Sequence, residues 1–143
     1  MDQQKNIHIL IADDFKALRD VIRLYLAREP DLLVVGEAPE LDYALESAKQ
    51  LQPDVIILND YLPPVDSALA AALFREHGIS APCISISMEL EPDLIRRSLQ
   101  HGITGYLHKD EINPHLVTAI RSVCRGDRFL SPKTQEVYNS LSE

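Results

Sequence analysis

The chain has no tryptophan, five glycines, two cysteines and an aromatic content of only 6%. Cys83 and Cys124 lie far apart and neither belongs to a CxxC pair, which argues against a zinc site and against a dithiol redox motif. Two buried, reduced thiols in a protein of the cytoplasm are the plain reading. No run approaches the ~18 apolar residues needed to span a bilayer. The polar start, Met1 to Asn6, leads straight into an apolar run without the pattern of a secretory signal peptide. A cytoplasmic location with no membrane partner is therefore expected. Basic residues are the minority, 14 against 22 acidic, for a net charge of -8. That balance disfavours direct nucleic-acid binding by this domain, because phosphate backbones reward clustered Lys and Arg. No GxGxxG follows the first apolar run, where Asp13-Asp14 stands instead, and no P-loop is present, which argues against a dinucleotide or nucleotide cofactor. His8, His77, His101, His108 and His115 have no HExxH or other ligand spacing and are expected at the surface or at strand ends.

What is present is an ordinary soluble composition, 45% hydrophobic and 25% charged over 143 residues, enough for one domain with one enclosed core. Ile7 to Ala12 is a nearly continuous apolar run, the pattern of a strand buried on both faces. Phe15, Leu18, Val21, Ile22 and Tyr25 then recur at helical spacing up to the stop at Pro30. The alternation continues. Leu32 to Val35 predicts a second strand, Leu41 to Leu51 a second helix, and Val55 to Leu58 a third strand. A third helix is capped by Asp66 or Ser67 and ends before Gly78. Cys83 to Ser87 predicts a fourth strand, Asp93 to His101 a fourth helix, and Gly105 to Leu107 part of a fifth strand. A fifth helix is capped by Asn113, with Pro114 in its first turn, and ends at Gly126. Five alternations imply an α/β fold, a doubly wound, flavodoxin-like, five-stranded parallel sheet of order 2-1-3-4-5 with helices on both faces. Functional crevices in such sheets lie at the carboxyl ends of the strands, beside the reversal of strand order. Asp13, Asp14, Asn59, Asp60, Ser87 and Lys109 all fall there. Acids and backbone carbonyls suit a hard cation such as Mg²⁺, while a hydroxyl and an amine suit phosphate oxygens.

Several segments sharpen this reading: Ile11-Ala12-Asp13-Asp14, Pro53 to Asn59, Leu62-Pro63, Ile86-Ser87 and Gly105-Tyr106-Leu107-His108-Lys109-Asp110. In this order and spacing the chain resembles, from end to end, the receiver domains of two-component response regulators. Arg125 to Pro132 resembles the junction of the subfamily that carries a C-terminal LuxR-type helix-turn-helix. The expected organisation is a receiver domain over 5–126 and a linker or tail over 127–143, leading toward an output domain that this chain lacks.

The resemblance implies a role for each matching position. Asp13 and Asp14 match the acid pair that binds Mg²⁺, with Asp14 the direct ligand, and the backbone carbonyl of Tyr61 is a further ligand. Ser87 matches the hydroxyl that follows the phosphoryl group, Lys109 the lysine that pairs with phosphate, and Tyr106 the aromatic residue whose rotamer reports activation. The implied partners are a sensor histidine kinase or another signalling protein, and a second copy of the chain through the fourth helix, fifth strand and fifth helix, where Arg96-Arg97 lies. Such a domain is a signalling module, not an enzyme acting on a separate substrate.

The phosphoacceptor position is where the chain departs from the pattern. Counting back four residues from Pro63, or forward from Pro53-Asp54, gives Asn59 in place of the family's aspartate. A neutral amide oxygen is a poor nucleophile and cannot yield an acyl phosphate. It also removes one negative charge from the metal site, so Mg²⁺ should bind weakly or not at all. Pro64 and Ser67 stand where the family favours glycine, and Met88 where it favours a small residue. These departures together fit a natural pseudo-receiver. Two alternatives stay open: a receiver engineered at Asn59, or an active receiver that uses Asp60. Strand alternation turns Asp60 away from the crevice if Asn59 points in, unless the strand has already ended.

Overall fold

A computed structural model describes residues 5–141. The chain runs β1 (Ile7–Ala12), α1 (Lys16–Leu26), β2 (Leu32–Ala38), α2 (Leu41–Leu51), β3 (Val55–Asn59), β4 (Tyr61–Leu62), β5 (Val65–Asp66) and α3 (Ser67–Glu76). It continues through β6 (Cys83–Ser87), α4 (Pro92–Gln100), β7 (Ile103–His108), a 3-10 turn (Lys109–Glu111), α5 (Ile112–Cys124), β8 (Phe129–Leu130) and α6 (Pro132–Ser140). The main sheet is parallel throughout, in the order β2-β1-β3-β6-β7-β8. Without β8 this is the expected 2-1-3-4-5 order, with the small β4–β5 hairpin inserted after the third strand.

The apolar strand runs serve both faces of the sheet. Ile9, Ile11, Val55, Ile57, Ile84 and Ile86 pack with Leu18, Ile22, Leu116 and Ile120 beneath α1 and α5. The alternate residues Leu10, Ala12, Ile56 and Leu58 pack with Ala44, Phe74, Ile95 and Tyr106 beneath α2, α3 and α4. Strand alternation thus sorts one continuous apolar run into two cores. Gly105 lets α5 come close to the sheet: a Cβ there would lie 2.8 Å from Ile84 Cγ1 and 3.2 Å from Val123 Cγ1.

Side-chain caps fix several helix starts. Asp66 Oδ1 accepts from Leu69 N at 2.9 Å, so Asp66 rather than Ser67 caps α3. Glu91 accepts from Asp93 N at 3.1 Å and Leu94 N at 2.8 Å, which starts α4 at Pro92. Asn113 does not act as a side-chain cap. Its backbone is extended where a cap's would be, but its Oδ1 accepts from Tyr25 Oη at 3.0 Å and ties α5 to α1.

The segment after Gly126 is built into the domain. Phe129–Leu130 pairs with Gly105 and Tyr106 of β7, and Ser131 N donates to the Tyr106 carbonyl at 3.0 Å. Leu130, Val137 and Tyr138 then pack onto the core that contains Tyr106. Helix α6 lies against α4 and β7, so part of the α4–β7 surface expected to receive a second copy is covered by the chain itself.

Candidate functional site

The carboxyl ends of β1, β3, β6 and β7 meet at one rim and carry, in turn, Asp13 and Asp14, Asn59 and Asp60, Ser87, and Lys109. Two hydrogen-bonded groups form there. In the first, Asp13 is buried, and its Oδ1 accepts from Phe15 N at 2.8 Å and from Asn59 Nδ2 at 3.3 Å. Burial pushes the Asp13 carboxyl up to about 6. The Phe15 N–H opposes that shift, the neighbouring Asp14 charge adds to it, and the Arg19 guanidinium and the Asn59 amide oppose it further. Arg19 Nη1 donates to the Asp13 carbonyl at 2.6 Å, and its Nε to Glu37 Oε1 at 3.0 Å, so α1 braces the loop.

The second group is centred on Asp60. Strand β3 stops at Asn59, so alternation no longer governs the next side chain. Asn59 turns toward β1, whereas Asp60 turns toward β6 and β7. Ser87 Oγ donates to Asp60 Oδ2 at 2.7 Å, and Tyr106 Oη donates to Asp60 Oδ1 at 3.3 Å. The Ser87 hydroxyl also abuts the Glu89 carbonyl, so its one proton is shared between two acceptors. Burial raises the Asp60 carboxyl above its ordinary range, and the Ser87 and Tyr106 donors partly offset it. Tyr106 is fully buried, and burial, together with the Asp60 charge, drives its phenol well above the usual tyrosine value.

Other candidates stand apart from these groups. Asp14 and the Tyr61 side chain are exposed, as is Lys109, which opens the 3-10 turn and has no ion pair with another described residue. Met88, directly after β6, is 40% exposed. His108 lies at a strand end and links two loops: its Nδ1 accepts from Asp110 N at 3.0 Å, which leaves Nε2–H to donate to the Met88 carbonyl at 2.9 Å. Sequence reasoning also passed over Glu111. Its position three residues after His108 is a capping-box spacing, and its Oε1 accepts from His108 N at 3.0 Å.

The donor set fits a tightly held Mg²⁺ poorly. A cation needs oxygen lone pairs, yet Asn59 presents its N–H₂ to Asp13 while its Oδ1 accepts from Asp60 N at 2.9 Å. Among the described residues no three His, Cys, Asp or Glu side chains gather as a metal cluster. A cavity of about 670 Å³, lined in part by Asp54, Arg75, Thr104 and Cys124, lies at the opposite, amino end of the sheet; Cys83 is buried as expected, but Cys124, at the end of α5, is exposed. Among the described residues no helix is long and apolar enough to cross a membrane.

Comparison with known proteins agrees with this architecture. The family model of the response regulator receiver domain matches residues 9–121. The chain is 30% identical over 131 residues to the nitrate/nitrite response regulator protein NarL of Escherichia coli, an overlap of 92% of this chain and 61% of that protein. It is 32% identical over 130 residues to the transcriptional regulatory protein DesR of Bacillus subtilis, covering 91% of this chain and 64% of that one. It thus spans less than two thirds of either relative. Among solved structures, the receiver domain of a NarL response regulator from Mycobacterium tuberculosis superposes with a TM-score of 0.80 at 30% identity, over 86% of this chain and 99% of that one. A LuxR-family response regulator from Aurantimonas shares the fold at a TM-score of 0.89 and 23% identity, over 96% of this chain and 99% of that one.

Proposed function

The chain belongs to the response regulator receiver domain family of two-component signalling, and on that premise we propose that it is a pseudo-receiver, passing its signal through protein contacts without an aspartyl phosphate. We assign Asn59 to the phosphoacceptor position, and one observation supports the reading: its amide is already committed to Asp13 and to the Asp60 backbone. Asp13, Asp14 and the Tyr61 carbonyl are the remnants of a Mg²⁺ site, now weak or lost. Ser87 and Tyr106 remain as the switch pair, and Lys109 is left without a phosphoryl group to neutralise. A sensor histidine kinase or another signalling protein is the proposed partner. DesR is a transcriptional regulatory protein by name, and both curated relatives named above extend well beyond the matched part. A transcriptional role would therefore run through a C-terminal DNA-binding region joined at 127–143.

A second reading has one observation in its favour. Asp60 lies within hydrogen-bonding distance of Ser87, so a carboxylate does stand beside the switch hydroxyl. As an acceptor its carboxylate would attack the donor's phosphorus and become an acyl phosphate as the donor's P–O bond breaks, releasing acetate when the donor is acetyl phosphate. Both of its oxygens are engaged by hydroxyls, however, which favours the first reading. Intact mass after incubation with Mg²⁺ and acetyl phosphate, for the parent and for Asn59→Asp, tests both. An adduct on the variant alone is the expected result. Gain of a phosphoryl group by the parent, mapped to Asp60, would replace the first reading with the second.

A further inference from the structure

Asp60 touches both halves of the rim, its N–H donating to Asn59 Oδ1 and its carboxylate accepting from Ser87 and Tyr106. A carboxylate withdrawn from water is costly unless its oxygens are matched by donors, and a buried phenol likewise requires a partner. Ser87 and Tyr106 meet both demands at once, one hydroxyl on each oxygen of Asp60. If Tyr106 moved outward, one carboxylate oxygen and the phenol pocket would both lose their partners. Tyr106 is also where the C-terminal segment attaches. Its carbonyl accepts from Ser131 N at 3.0 Å, and it sits opposite Leu130 in the β7–β8 pairing. Next along, Ser131 Oγ donates to Glu111 Oε1 at 2.6 Å and Lys133 N to Glu111 Oε2 at 3.1 Å, which holds the first turn of α6 against the 3-10 turn.

We propose that Asp60 is a built-in anion that occupies the switch pair permanently, holding Ser87 and Tyr106 inward and, through Tyr106, keeping β8 and α6 docked on the α4–β7 surface. The proposal rests on the reading of Ser87 and Tyr106 as the switch pair. Two elements that a phosphorylated receiver would move on demand are fixed here from within. The face offered to a partner is then the one built by α4 and α6, and it is constant whether or not a phosphodonor is present. The β6–α4 loop is fixed as well, since the same Ser87 hydroxyl abuts the Glu89 carbonyl and His108 holds that of Met88.

Hydrogen–deuterium exchange of the 143-residue chain tests this, with Asp60→Ala, Asp60→Asn and Tyr106→Phe compared with the parent. Asp60→Ala should speed exchange on the order of tenfold, the loss of about one hydrogen bond to a charged group. The effect should appear both in the loop 88–91 and in 129–140, although among the described residues no hydrogen bond joins the second segment to the Asp60 side chain. Asp60→Asn should give a smaller effect at both places, since the amide keeps an acceptor. If Asp60→Ala does not fold, Tyr106→Phe decides, because it removes only the phenol oxygen and should loosen 129–140. Unchanged exchange in 129–140 for a folded Asp60→Ala, or for Tyr106→Phe where the alanine variant is unfolded, overturns the proposal. The mass experiment above reads a different quantity. A phosphoryl group on Asp60 would sink the pseudo-receiver reading, while exchange of the unphosphorylated chain would still decide the latch.

Discussion

Glu111 and Ser131, twenty positions apart and both buried, are joined by a hydrogen bond of 2.6 Å from Ser131 Oγ to Glu111 Oε1. Ser131 Oγ also serves α6 as its N-cap, accepting from Thr134 N at 3.2 Å. One carboxylate therefore holds the helix start and, through His108 N, the end of β7. Glu111→Ala should leave His108 N and Lys133 N short of an acceptor and Ser131 Oγ with only Thr134 Oγ1 to donate to. A loss of about 2–3 kcal/mol in chemical denaturation is expected, the usual cost of stranding buried partners of a charged group. Limited proteolysis should then cut first within 127–141. A variant as stable and as protease-resistant as the parent would show that the clamp contributes nothing.

The same carboxylate gives the strap a pH dependence. Burial raises the Glu111 value, but the Ser131 hydroxyl and the His108 and Lys133 N–H groups more than offset this, and the net shift is downward from 4.5. A depressed folded value means that the folded state prefers the ionised form. The stabilisation is therefore complete above the unfolded value near 4.5 and is lost as pH falls through the lower folded value. The stability difference between the parent and Glu111→Gln should shrink as the medium is acidified below that point. A difference that stays constant from neutral pH into strong acid would remove Glu111 as its source.

Gly105 offers a test of packing alone. With a Cβ 2.8 Å from Ile84 Cγ1 and 3.2 Å from Val123 Cγ1, Gly105→Ala must push α5 off the sheet or shift Ile84. Overpacking of this kind costs about 1–3 kcal/mol. Thermal unfolding should show the loss, and a variant with an unchanged midpoint would mean that α5 moves at no cost.

How much of this was legible in the sequence follows from which forces act locally. Continuous apolar runs such as Ile7–Ala12 and Val55–Leu58 are forced by burial on both faces, so strand order and the rim positions of Asp13, Asn59 and Ser87 could be anticipated. The direction of Asp60 could not, because it depends on β3 ending at Asn59 and on the β4–β5 hairpin that follows. The docking of 127–141 was equally hidden. Phe129–Leu130 is too short a strand to show a period, and its anchor, Glu111, is remote in sequence and polar. Asn113 looked like a cap, yet its oxygen was taken by Tyr25 from another helix, a tertiary competitor that no local pattern encodes.

The strongest test of the rim is Asn59→Asp. In the parent, the Asn59 amide donates to Asp13, whose own carboxyl burial has pushed up to about 6. The substitution replaces that donor with a second carboxylate against a buried one. Like charges at this distance raise one another's proton affinity and destabilise the ionised site. Without a divalent cation the variant should thus be less stable than the parent at neutral pH. Added Mg²⁺ should raise its melting temperature by mass action, because the cation binds the folded form through the restored pair of acids. The parent should respond far less, since its amide turns an N–H₂ toward Asp13 and its oxygen is taken by Asp60 N. Equal melting curves for parent and variant over a Mg²⁺ series would mean that Asp13, Asp14 and the Tyr61 carbonyl no longer converge, and that the site has lost its architecture as well as its nucleophile.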